Sequence, residues 1–207
     1  MIRLVCVAIG YVFGLFQTGY IYGELKGTDI RQHGSGNAGA TNALRTLGWK
    51  AGLITLLGDC FKCVFAVLLV RALFAGRYPD EHMGVLLGMY AALGVILGHN
   101  FPFYLKFKGG KGIAVMIGMT AAMAFSMDIR LAIPNALIGF GMAFITRYVS
   151  VGSLLFALTL PISAYLLGFP REMLYLTIFV SAMAFWRHRG NIKKLLNGTE
   201  NKFGSKK

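Results

Sequence analysis

Three glycines, Gly109, Gly110 and Gly112, surround Lys111 immediately before an apolar run that begins at Ile113. Glycine lets backbone N–H groups converge, and a helix start adds orphan N–H groups and the positive end of a dipole. With a cation among them, such a loop suits a phosphate. It is not a Walker A loop, because Leu105 stands where the first glycine belongs and Gly112 replaces the Ser or Thr that holds magnesium. The same segment opens with Gly98-His99-Asn100-Phe101-Pro102, so His99 joins the candidate phosphate ligands.

A second polar segment runs Gly34-Ser35-Gly36-Asn37-Ala38-Gly39-Ala40-Thr41-Asn42-Ala43-Leu44-Arg45. It contains the letters of a dinucleotide fingerprint, but that fingerprint needs a preceding strand, and the residues before this segment are an apolar helix. Its glycines, with Asn37, Thr41 and Asn42, form a polar turn that can present N–H groups to an anion. Arg45 adds a fork for phosphate or carboxylate. Ser35 alone is more often a turn residue than a nucleophile. The end of the chain supplies Arg187-His188-Arg189-Gly190-Asn191 and Glu200, and Arg147-Tyr148-Val149-Ser150 adds a further cation and hydroxyl. On a helix continuing past residue 186, Arg187, Asn191 and Lys194 share one face, as do His188, Asn191 and Leu195. His188 has the chemistry of a general base near neutral pH.

The elements that must position these groups are membrane helices. Hydrophobic residues make up 56% of the chain, charged ones 14%, and mean hydropathy is +0.62, more than a soluble domain of 207 residues needs to fill its core. Apolar runs near the ~20 residues that cross a bilayer cover residues 2–22, 51–69, 83–97, 113–127, 131–145, 151–167 and 173–186, with Pro134 and Pro161 interrupting two of them. The expected fold is an all-α membrane protein of about seven transmembrane helices, a single polytopic domain over residues 1–207. The run at 2–22 has only Arg3 before it and no convincing cleavage site, so it reads as a retained helix rather than a signal peptide. Of the 21 Lys and Arg residues, 15 fall on the face of the loops near 23–50, 98–112 and 187–203, Lys206 and Lys207 included, and five on the other. Basic residues stay cytoplasmic, so the N-terminus is expected outside and the C-terminus in the cytoplasm. The net charge of +13 reflects this asymmetry and attraction to anionic lipid rather than nucleic-acid binding.

Lys62 is left inside a span with Asp59, three residues away and on the same helix face. Counted from Ala51 at ~1.5 Å per residue they lie about 12 and 17 Å deep. Bare charge there costs ~2.5–3.5 kcal/mol on insertion scales, so a structural ion pair is expected. Cys6, Cys60 and Cys63 also lie within spans, where a thiol acts as a small apolar residue, so neither a metal site nor disulfides are expected.

These motifs resemble the integral-membrane acyl-phosphate:glycerol-3-phosphate acyltransferase family (PlsY) of bacterial phospholipid synthesis, over nearly the whole chain. The resemblance rests on Ser35 to Asn42 with Arg45, on Gly98-His99-Asn100-Phe101-Pro102 to Gly109-Gly110-Lys111-Gly112, and on Arg187-His188 with Asn191, Gly198 and Glu200. It implies transfer of an acyl group from acyl phosphate to the 1-hydroxyl of sn-glycerol 3-phosphate at the cytoplasmic side of a bacterial inner membrane, giving lysophosphatidic acid and phosphate. No metal or other cofactor and no nucleic acid is implied; a monomer is compatible with the pattern, which leaves the oligomeric state open. It further implies Ser35, Arg45, His188 and Asn191 as catalytic residues, the glycines around Lys111 as the phosphate loop, and Glu200 in a structural role. Cys63 after Lys62 and Phe103 depart from the family's usual Gly and smaller aliphatic, and neither touches a motif.

The chemistry suits the residues. Acyl phosphate is a mixed anhydride with a good leaving group, so the protein has mainly to position two anions and stabilise developing charge. The H-x-x-x-x-D motif of other glycerolipid acyltransferases is missing after every histidine. Direct attack, assisted by His188 or a substrate phosphate, therefore outranks an acyl-Ser35 intermediate. A transporter of phosphorylated metabolites would want more polar residues along its spans than Asp59 and Lys62. A scaffold that recruits lipid enzymes through its basic tail would not need the glycine loops.

Overall fold

The computed structural model describes residues 1–78 and 81–204, which excludes Lys206 and Lys207 from the charge map above. The described residues contain helices and no strand: α1 Ile2–Leu15, α2 Thr18–Leu25, α3 Ala40–Leu47, α4 Trp49–Phe74, α5 Glu81–Asn100, α6 Ile113–Ser126, α7 Ala132–Thr146, α8 Val149–Leu166, α9 Arg171–Arg187 and α10 Arg189–Leu196. Among the described residues, five stretches are long and apolar enough to cross a membrane: Ile2–Leu25, Trp49–Phe74, His82–Leu105, Ile129–Thr146 and Val149–Leu166. Helix α6 is apolar but shorter, at 14 residues. The chain forms two compact units, Met1–Ser126 and Met127–Lys207.

In the first unit α5 is central: most of its residues are buried, whereas α4 leaves a larger share of its surface exposed. Small residues let it meet α1 closely. Gly10 and Gly14 face the Ala91 and Val95 backbone of α5, while Gly94 and Gly98 face the Val7 and Tyr11 backbone of α1, and a Cβ at any of the four would collide with main chain. Two G-x-x-x-G pairs at one crossing are a recognised membrane packing device. Helix α6 lies as close to α4, where Gly118 faces the Cys60 backbone and the Cys60 thiol donates to Ala114 O at 3.0 Å. Phe61, Phe65 and Leu68 of α4 are exposed, as a lipid-facing surface requires.

The first apolar run is not one helix. It breaks at Phe16–Gln17, between α1 and α2. A break inside a bilayer needs partners for the carbonyls it exposes, and three consecutive ones are met, one by Gln17 at the break and two by distant residues. Gln17 Nε2 donates to Gly14 O (3.0 Å), the Tyr104 hydroxyl to Leu15 O (2.6 Å), and Lys62 Nζ to Phe16 O (2.7 Å).

In the second unit the prolines do not interrupt the helices. Pro134 is the third residue of α7, where a missing N–H costs no intrahelical bond. Pro161 lies inside α8, which continues to Leu166, a substitution that membrane helices tolerate. Gly139 and Gly152 bring α7 and α8 together, and Asn135 Nδ2 bridges them by donating to Leu131 O (2.5 Å) and Ser163 Oγ (3.1 Å). The expected continuous helix through the C-terminal motif is also interrupted: α9 ends at Arg187, His188 takes φ −95° and ψ 5°, and α10 starts at Arg189.

Candidate active site

Ser35 sits in the polar loop between α2 and α3, and buried Asn42 in the first turn of α3 holds that loop. Asn42 Oδ1 accepts the Ser35 N–H at 2.8 Å, while Nδ2 donates to Ile30 O (2.7 Å) and His33 O (3.1 Å). The amide expected at a phosphate is thus engaged by backbone, and it orders the turn that carries the serine. Gly34 and Gly36 take positive φ (60° and 70°), and a Cβ at Gly34 would strike Asn42 Oδ1. Asp29 closes the other side of the loop, accepting the Arg31 N–H at 2.9 Å and pairing with its guanidinium at 2.7 Å. The hydrogen bond from Arg31 holds the Asp29 carboxyl below its ordinary value, and the same guanidinium lies 4.6 Å from the Tyr20 ring.

Around this frame, Ser35 is exposed, Asn37 and Thr41 are half-buried, Gly39 caps the start of α3, and Arg45 is exposed in its last turn. The Asn37 Oδ1 is buried and has no hydrogen-bond partner among the described residues.

The glycine and lysine loop is tied to the end of α5. Gly110 N–H donates to His99 O (3.0 Å) and Gly109 N–H to Asn100 O (3.2 Å). These two N–H groups, expected at a substrate phosphate, are spent on the loop's own fold. Space is equally constrained, because a Cβ at Gly109 would meet His99 O and one at Gly110 would run into the His99 ring. Before them Lys106 and Phe107 adopt left-handed φ of 54° and 59°, a conformation costly for residues with a side chain.

Gly112, at φ 85°, turns the chain into α6, whose first i→i−4 bond runs from Met116 N to Gly112 O at 2.8 Å. The N–H groups of Ile113, Ala114 and Val115 precede that bond, at the positive end of the helix. Beneath Gly112 lies the side chain of Asn100. It is fully buried, and neither its Nδ2 nor its Oδ1 has a hydrogen-bond partner among the described residues. Asn100 is the residue that motif spacing left out of the site, although it stands inside the Gly98-to-Pro102 signature. Only its burial and empty valences mark it.

Asp59 and Lys62 of α4 lie behind this loop, 1% and 5% exposed. Lys62 Nζ is 2.7 Å from Asp59 Oδ1 and 2.9 Å from His99 Nδ1, and Thr18 donates to the same carboxylate oxygen at 3.2 Å.

In the second unit, His188 is buried where α9 gives way to α10, with its Nδ1 2.8 Å from Ala184 O. A carbonyl only accepts, so Nδ1 carries the proton, and in the neutral ring Nε2 carries the lone pair. Asn191 Nδ2 donates to Glu200 Oε1 at 2.9 Å, which ties α10 to the tail. The buried Ser150 hydroxyl has no partner among the described residues. Arg147, which ends α7 with φ 61°, accepts the Phe203 N–H on its carbonyl at 2.6 Å.

A family model described as glycerol-3-phosphate acyltransferase matches residues 4–198. A protein of Shouchella clausii with that name is 42% identical over 97% of this chain and 95% of its own length. One of Halalkalibacterium halodurans is 43% identical over 95% and 93%. Crystal structures of PlsY (YgiH), an integral membrane glycerol 3-phosphate acyltransferase, in its glycerol 3-phosphate and lysophosphatidic acid forms, superpose with TM-scores of 0.85 and 0.82 at 32% identity. Each covers 98% of this chain, and this chain covers 96% and 95% of theirs.

Proposed function

The chain belongs to the glycerol-3-phosphate acyltransferase family, and from that membership we propose that this enzyme takes its acyl group from acyl phosphate. The glycerol 3-phosphate 1-hydroxyl oxygen forms a bond to the acyl carbon, and the carbon–oxygen bond to phosphate breaks. Inorganic phosphate leaves with the electron pair, the hydroxyl proton passes to a base, and lysophosphatidic acid remains.

The observation that carries this reading is the start of α6: orphan N–H groups, the helix dipole, Lys111, and the open valences of buried Asn100 gathered at one turn. A phosphate there is met by fixed dipoles in a poorly hydrated setting, which is where electrostatic stabilisation of a leaving anion is largest. Gly109 and Gly110 shape this turn, and Gly112 admits it. Ser35, held by Asn42, hydrogen-bonds a substrate, with Gly36, Asn37, Gly39 and Thr41 shaping the pocket around it, and Arg45 offsets phosphate charge. Ser150 offers a hydroxyl to substrate, and Asn191 keeps its place through Glu200. His188, with the lone pair on Nε2, has the tautomer a proton acceptor needs; a substrate phosphate is the other available base.

We further infer one polytopic domain of seven spans in a bacterial inner membrane, counting α6 and α9 with the five longer stretches. The 15-to-5 distribution of basic residues supports an outside N-terminus and a cytoplasmic site. The donor is tested with purified enzyme and glycerol 3-phosphate: acyl phosphate is expected to support lysophosphatidic acid formation, and acyl thioesters are not. Equal rates with a thioester would overturn the donor assignment.

A further inference from the structure

Asp59 and Lys62 touch no motif in the sequence, yet they connect the glycine loop to the break in the first span. Lys62 ends in an ammonium with three N–H groups and no lone pair. Its three partners are Phe16 O, Asp59 Oδ1 and His99 Nδ1, at 2.7, 2.7 and 2.9 Å. The first two can only accept. The third N–H is directed at the imidazole, which can receive it only through an unprotonated Nδ1. The proton of a neutral His99 ring then lies on Nε2, and Nε2 is the atom that a Cβ on Gly110 would strike first. Backbone contacts run the same way: Gln17 Nε2 and Gly110 N–H both donate to His99 O, at 3.1 and 3.0 Å.

We propose that Asp59 and Lys62 are positioning residues for the phosphate loop, holding His99 as the Nε2–H tautomer with that edge set beneath Gly110. If Lys62 served only to neutralise Asp59 and close the break in the first span, Asp59 and Phe16 O would be all it needed. It does not need a third N–H spent on an imidazole whose far edge supports the glycine loop. With the ring fixed in tautomer and angle, Gly110 has one seat, and the start of α6 keeps one geometry toward a phosphate. His99 and His188 thereby hold opposite tautomers, Nε2–H against Nδ1–H, each set by the partner of its Nδ1.

The inference rests on the proposed role of the Lys111 loop in holding phosphate, and its first test does not depend on that role. Nitrogen-15 spectra of histidine-labelled enzyme in lipid nanodiscs, with the His99 signals assigned by loss in His99→Gln, are expected to show an unprotonated Nδ1 and a protonated Nε2. In Lys62→Met the His99 signals are expected to shift to a mixture of tautomers, while those of His188 stay. A wild-type ring protonated on Nδ1, or on both nitrogens, overturns the proposal even if no variant folds. In kinetics, Lys62→Met and Asp59→Asn are expected to raise KM for whichever phosphorylated substrate the loop holds by on the order of tenfold, with kcat of the folded fraction changed much less. Lower folded yield with unchanged KM for both substrates would make the pair purely structural. If acyl phosphate proves not to be the donor, the donor reading fails while the tautomer result stands on its own.

Discussion

Asn42 Oδ1 accepts the backbone N–H of Ser35 at 2.8 Å, across seven residues of sequence, while its Nδ2 binds the carbonyls of Ile30 and His33. One buried amide therefore shapes the turn that presents the serine. Asn42→Ala removes all three bonds; the Ile30 and His33 carbonyls keep the His33 and Gly36 N–H groups (3.3 and 3.0 Å), so the loss falls on the Ser35 N–H and on the order of the turn, at ~0.5–1.5 kcal/mol for each bond lost. Activity is expected to fall about as far as in Ser35→Ala, and Asn42→Asp is expected to do no better, since a carboxylate facing two carbonyls repels them. Steady-state rates of the three variants at equal folded concentration check this. Wild-type rates in Asn42→Asp would show that the amide donor bonds are dispensable.

Gly110 has no room for a side chain, because its Cβ would overlap the His99 ring. Gly110→Ala must displace either the loop or the imidazole. The expected result is a raised KM for one phosphorylated substrate with a smaller change in kcat. Gly190, whose Cβ would meet nothing within 4 Å, provides the control: Gly190→Ala is expected to bind both substrates as the parent does.

The Asn191 to Glu200 contact at 2.9 Å fastens the tail to α10 through one acceptor oxygen. Glu200→Gln keeps an oxygen there, whereas Glu200→Ala does not. Thermal unfolding in detergent is expected to place Glu200→Gln near the parent and Glu200→Ala clearly lower. A normal melting temperature for Glu200→Ala would remove Glu200 from a structural role.

The Asp29 carboxyl is depressed by its hydrogen bonds from Arg31. A depressed folded value means a contribution present above the unfolded value of about 3.9 and lost as pH falls through the lower folded one. The Ser35 loop is expected to loosen only under acid conditions, below about pH 4, and Asp29→Asn to be already loose near neutrality. Hydrogen exchange of the 29–36 amides against pH reads this directly, and identical profiles for the two proteins would refute it.

The all-helical architecture is legible in the amino-acid sequence, because a bilayer makes hydropathy speak directly about helices long enough to span, and five of the expected runs are such helices among the described residues. The loop motifs are legible for a related reason: glycines clustered before a helix start mark a backbone that a Cβ would obstruct, as Gly109 and Gly110 do against His99. What sequence reading misses is set by contacts between distant residues. The run at 2–22 is apolar but for Arg3, Gln17 and Thr18, and its break at Phe16–Gln17 is held by Lys62 and Tyr104, which supply donors from 46 and 89 residues away. Pro161 suggests an interruption that α8 does not make. The Gly10/Gly14 and Gly94/Gly98 pairs were readable as a crossing, yet which pair meets which follows only from the packed unit. The fates of Asn42, Gly109 and Gly110 depend on where loop carbonyls lie, which spacing does not encode.

In the proposed reaction the acyl group passes directly from acyl phosphate to glycerol 3-phosphate and never rests on the protein. A donor this activated needs no covalent relay, and the sequence around Ser35 holds no nucleophile motif. The decisive measurement is rapid-mix detection of inorganic phosphate from enzyme and acyl phosphate, first alone and then with glycerol 3-phosphate, together with mass spectrometry of the quenched protein. Direct transfer gives no phosphate before the acceptor is added, then phosphate and lysophosphatidic acid in equal amounts, on a protein of unchanged mass. A stoichiometric burst without acceptor, with an acyl adduct on Ser35 formed fast enough for turnover, would contradict it and establish a ping-pong mechanism.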